Sequence, residues 1–177
     1  NWYAVAATVA LGALAVCHIV YAFILTAQNR SARGANRYEV TAKPEKVEWA
    51  SQNMLVLGII VLLGLALHLF NFWYNMMFAE LVGMRTVLEP TDGFGLIRAT
   101  FQTKVYVILY VIWIVALWYH LSHGFWSAMQ TIGINGKVWF NRWKVIGTVY
   151  VTLLMLAFLV VVLAFAFGCA PSLHCAA

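Results

Sequence analysis

The sequence predicts an all-α integral membrane helical bundle, and three observations predict it. Hydrophobic residues make up 64% of the chain and charged ones only 10%, a balance outside that of soluble globular domains. Four runs, about 2–28, 52–79, 103–130 and 145–168, carry no Asp, Glu, Lys or Arg apart from Lys104 at the start of the third. About 20 apolar residues cross the hydrocarbon of a bilayer, so each run is long enough to be a transmembrane helix. The basic residues behind the net charge of +5 lie in the connections beside these runs, not in a stripe of the kind that binds nucleic acid. The 177 residues are nearly used up by spans and short connections, which predicts one transmembrane domain over 1–177.

The first run is too long for a signal-peptide core and has no basic flank before it. It begins with Asn1 rather than Met, in the middle of an apolar run, which leads us to expect a further span upstream, and so five helices in the full protein. A polar connection follows, from Asn29 to Ser51, with Arg30, Arg33, Arg37, Lys43 and Lys46 among its charges. Tyr38 and Trp49 accompany them, so this loop could also dock a partner. The second run leads to a mildly polar connection in which Pro90-Thr91-Asp92-Gly93 signals a turn. The third and fourth runs are joined through Gly133, Gly136, Lys137, Arg142 and Lys144, and Pro171 closes the last helical region.

Loop charges set the expected orientation. Arg30, Arg33, Arg37, Lys43, Lys46, Lys137, Arg142 and Lys144 fall on one side, against Arg85, Arg98 and Lys104 on the other. The positive-inside rule puts loops 29–51 and 131–144 in the cytoplasm, and a bacterial inner membrane is the expected location. Cys17 lies inside a span, and Cys169 and Cys175 stand in the tail without the close pairs of zinc or redox motifs.

The functional candidates are imidazoles at membrane depth, where a polar group requires a partner. His18 lies ten residues from Gln28, and His120 eight from Ala128, each taken as the cytoplasmic end of its span. At 1.5 Å per residue these two depths differ by about 3 Å. Paired histidines at one level on separate helices are the arrangement that holds haem iron between two imidazoles. His68 stands on the other side of the midplane, where no second histidine of this chain shares its level. His174, beyond Pro171, is a poor candidate. Small residues must let the macrocycle pass, and Gly124 and Gly64 lie four residues from His120 and His68. His123 lies nearer the cytoplasmic surface; it could replace His120 as ligand, bond a propionate or contact quinone. We prefer His120 for its depth and for Gly124 beneath it. Trp126, Trp139 and Trp143 read as interfacial anchors. Apart from Cys17, no thiol or carboxylate accompanies these histidines at membrane depth to favour another metal.

The stretch His120-Leu121-Ser122-His123-Gly124-Phe125-Trp126-Ser127-Ala128-Met129-Gln130-Thr131-Ile132-Gly133 resembles the fourth-helix signature of the dihaem cytochrome b anchors of succinate:quinone oxidoreductase and quinol:fumarate reductase (complex II). His18 with Tyr21 and Gln28-Asn29-Arg30 is similar to that family's second helix, and Gln52 with His68-Leu69-Phe70 to its third. The resemblance implies a cytochrome b subunit that passes electrons between quinone and an iron-sulfur subunit, which a flavoprotein subunit serves. It implies two haems b, one on His18 and His120 and one on His68 with a first-helix histidine that nothing here matches. It leans to menaquinone and allows a dimer of the whole complex. Arg30, Arg33, Arg37 and Arg142 are candidates for docking the partner or pairing propionates. An acidic residue that some members carry two positions before the fourth-helix ligand is Trp118 here. Two other readings compete: the cytochrome b anchor of a formate dehydrogenase or hydrogenase, and a haem-free transporter or scaffold. Against the latter, no span is broken by proline or carries a midplane carboxylate.

Overall fold

The computed structural model describes residues 2–33, 48–134 and 136–168. Among these there is no strand, and four helices are long and apolar enough to cross a membrane: Trp2–Ala32, Met54–Val82, Lys104–Ile132 and Trp139–Ala166. The chain divides into two compact units, Asn1–Val47 and Glu48–Ala177. Arg37, Tyr38, Lys43, Lys46, Cys169, Cys175 and His174, on which parts of the reading above rest, lie outside the described residues.

The described residues of the first unit form one helix, α1 (Trp2–Arg33). It runs five residues past the expected end at Gln28, because Asn29-Arg30-Ser31-Ala32-Arg33 contains neither proline nor glycine to stop it. Thr8 and Thr26 turn their hydroxyls back onto the carbonyls of Ala4 and Ala22, at 2.9 and 2.8 Å, which satisfies them within the helix.

The second unit begins with a short turn, α2 (Trp49–Gln52), which breaks at Asn53 and continues as α3 (Met54–His68). From Leu69 to Phe78 the helix widens into a π segment before a last α turn, α4 (Ala79–Val82), which Gly83 ends in the left-handed conformation, φ 65°. A π turn carries its bonds five residues on, so each carbonyl accepts from the amide five residues later. The Asn75 side chain adds to these bonds, its amide donating to the carbonyls of Phe70 and Asn71 at 3.0 Å each.

The connection to the third span holds a helix that the turn signal alone does not predict, α5 (Gly93–Phe101). Asp92 caps it by accepting from the Gly95 amide at 2.8 Å, and its last turn buries Thr100 and Phe101. Two long helices follow, α6 (Lys104–Ile132) and α7 (Trp139–Ala166). α7 starts six residues before the expected position, taking in Trp139-Phe140-Asn141-Arg142-Trp143-Lys144.

α6 is the centre of this unit, packed along α7 on one side and α3 on the other. Two glycine notches admit its large side chains. A Cβ on Gly64 would stand 1.9 Å from Trp113, and one on Gly147 would stand 2.4 Å from Phe125. Trp113 also donates to the Val61 carbonyl of α3 at 3.0 Å, and Trp118 to the Thr152 hydroxyl of α7 at 2.8 Å. Small residues at close approaches and hydrogen bonds between helices are what hold bundles together where lipid supplies no hydrophobic drive. The core between α6 and α7 is Tyr110, Ile114, Val151, Met155 and Val162, with Phe101 of α5 closing one end.

Candidate functional site

His68, the last residue of α3 before the π segment, is half-buried. Three aromatic rings surround it, with centroids at 5.1 Å for Phe72, 5.4 Å for Trp113 and 6.2 Å for Tyr110. Phe72 and Tyr110 in turn meet Phe101, so α5 closes this box from its end of the bundle. Tyr110 is fixed by a 3.3 Å bond from the buried Asn71 amide to its hydroxyl. The Nδ1 atom of His68 is buried with no hydrogen-bond partner, as is Nε1 of Trp73. A buried polar atom without a partner costs about 1–3 kcal/mol.

His120 lies on α6 and is half-buried against α3, its Cε1 atom 3.8 Å from where a Cβ of Gly58 would stand. Sequence reasoning singled out Gly64 and Gly124 and missed Gly58, a small residue directly across from the imidazole. Gly124 keeps its space, with nothing within 4 Å of a Cβ placed on it. Gly64 differs from expectation. Its notch is filled by the Trp113 indole, so it serves to pack α3 on α6. His18 stands past the middle of α1, exposed in its own unit, next to the exposed Cys17.

His123 is engaged elsewhere. Its Nδ1 lies 3.4 Å from Oε2 of Glu48, and its ring meets Trp126 edge-on at 4.7 Å. The other Glu48 oxygen accepts from Lys144 at 2.6 Å, and the Lys144 ammonium also lies over the rings of Trp126 and Phe140, at 4.5 and 4.9 Å. One carboxylate thus ties the start of α2 to both α6 and α7. Burial pushes the Glu48 carboxyl up, but the bonds from Lys144 and His123, with their charges, outweigh it and hold the group below its ordinary value.

An iron porphyrin requires imidazoles that the protein leaves able to coordinate and small residues beside them. Gly124, with its open space, fits that demand; the Gly64 notch is taken by Trp113, and the unpartnered Nδ1 of His68 is the nitrogen that a haem ligand would keep as a donor, not the one that would meet the iron. Among the described residues no group of three or more His, Cys, Asp or Glu is placed to hold a bare metal ion.

No family model, curated protein or solved structure matches this chain.

Proposed function

We propose that the chain is the membrane-anchor cytochrome b subunit of a succinate:quinone oxidoreductase or quinol:fumarate reductase. The observation that carries this reading is the standing of His18, His68 and His120 within three separate membrane-length apolar helices. Imidazoles are expensive in such spans and mark functional sites there. His18 and His120 would hold one haem b, and His68 a second whose other ligand comes from outside this chain. Haem b, when bound, supplies one-electron exchange at its iron. The protein's part is to fix the imidazoles, exclude water and set the surroundings. Trp113, Phe72 and Tyr110 wall His68, and Phe101 closes the box.

In this reading His120 is preferred to His123, because Glu48 and Trp126 occupy His123 at the membrane edge. The partners are an iron-sulfur subunit and a flavoprotein subunit, and the diffusible electron carrier is a quinone, with menaquinone favoured by resemblance. The membrane is a bacterial inner membrane, with loops 29–51 and 131–144 facing the cytoplasm. These assignments rest on the loop charges and on the likeness of the 120–133 stretch to the complex II anchors.

The test is purification from native membranes with all copurifying subunits, followed by a reduced-minus-oxidised spectrum. A b-type spectrum with a flavoprotein and an iron-sulfur subunit is expected. Absence of b-type absorbance would remove the reading. His120→Ala should lose one haem while the helices still insert, and full haem retention would move the ligand to His123.

A further inference from the structure

The start of α7 carries a cluster that electron transfer does not use. Lys137 precedes the helix, Arg142 lies in its first turns, and the Arg142 guanidinium stands 5.2 Å from the centre of the Trp139 ring. Trp139 packs at a tilt, 5.5 Å between ring centres, on Trp143, whose indole donates to the Ile134 carbonyl at 2.7 Å. The aromatic shelf is thereby fixed to the loop below α6. The first turn of α7 has no acidic residue. Among the described residues the carboxylate at this end is Glu48, which already accepts from Lys144 and faces His123. Lys137 and Arg142 are left exposed, with positive charge that no described carboxylate offsets.

The helix below Arg142 says what kind of anion would complement them. At three, seven, eleven, fourteen and eighteen residues on stand Val145, Val149, Leu153, Leu156 and Val160, with exposures of 63%, 54%, 65%, 51% and 64%. Those steps follow one face of a helix. Arg142 therefore caps an unbroken apolar rail running the length of a membrane-spanning helix. Its side chain is directed toward the helix start, where the hydrocarbon gives way to water. A soluble anion would use the charges and ignore the rail; a phospholipid uses both.

We infer that the start of α7 is a binding site for an anionic phospholipid. Its phosphate lies between Lys137 and Arg142, its headgroup against Trp139, and an acyl chain along the Val145–Val160 face. The guanidinium matches two phosphate oxygens at once, and its stacking on Trp139 holds it ready for them. The inference needs only the membrane-spanning character of α7, so it stands or falls apart from the haem.

The test uses the full-length protein with whatever subunits copurify, in nanodiscs of phosphatidylcholine containing a minority of phosphatidylglycerol. Native mass spectrometry reads which lipid stays bound. Phosphatidylglycerol should be retained over phosphatidylcholine, and Lys137→Gln with Arg142→Gln should weaken that retention by about fivefold for each cation removed. Lys104→Gln, at the far end of the same bundle, should leave it unchanged. Should the double variant fail to fold, Arg142→Gln alone decides the matter by the same measurement. Unchanged retention in the variants overturns the site, and equal loss in Lys104→Gln reduces it to general charge. Displacement of phosphatidylglycerol by added inorganic phosphate would make it a site for the free anion and end the lipid assignment.

Discussion

At Gly64 a missing side chain does structural work that a histidine-centred reading assigns to a cofactor. The Trp113 indole occupies the notch and bonds the Val61 carbonyl beyond it. Gly64→Ala should therefore destabilise the protein by about 1–3 kcal/mol, since a rigid indole must leave its place. Gly12→Ala on α1, where an added Cβ meets nothing within 4 Å, should be neutral or stabilising by up to about 1 kcal/mol. Thermal melts in one detergent compare the pair, and equal effects would mean that the notch is not tight. Glu48 makes a different kind of prediction. Its carboxyl is held below the ordinary value, so its contribution to stability is present above the unfolded pKa and fades as pH falls through the folded one. Melting temperature should drop as pH is lowered below about 4.3, and Glu48→Gln should remove that part of the drop. The side chain is 41% exposed, so at neutral pH the substitution should cost no more than about 1 kcal/mol. A melting profile that falls identically in the variant would show that Glu48 is not the group responsible.

Among the elements, the π segment Leu69–Phe78 depends most on a single side chain. The Asn75 amide donates to two carbonyls within it. Asn75→Ala should speed amide exchange through the segment while leaving α7 as it was. Unchanged exchange would mean that the segment holds itself. The long helices were legible beforehand because an uncharged run of more than twenty residues has few alternatives. The π segment was not, since Leu69-Phe70-Asn71-Phe72-Trp73-Tyr74 is apolar almost all round and carries no periodic mark of its wider turn. α5 was missed for another reason: its two glycines argue against a helix, and the Asp92 cap with the burial of Thr100 and Phe101 overrides them.

Across the whole molecule, what the sequence could not disclose is long-range pairing. Glu48 meets partners 75 and 96 residues away, and no spacing rule predicts such contacts. Membrane depth, by contrast, can be counted from a helix end, which is why the histidines stood out while the Glu48 bridge that engages His123 did not. Sidedness is testable at this scale. In a background with Cys17, Cys169 and Cys175 replaced by serine, Val87→Cys should react with an impermeant maleimide from outside intact cells, and Ile134→Cys should not. The reverse pattern would invert the proposed topology.

The Trp113 tooth in the Gly64 notch has a mechanical consequence. Two helices meshed in this way cannot slide lengthwise past one another without pulling the indole free. α3 and α6 should therefore answer a thinner or thicker bilayer by leaning as one body. The vertical interval between His68 and His120 would then stay constant while the lipid around them changes.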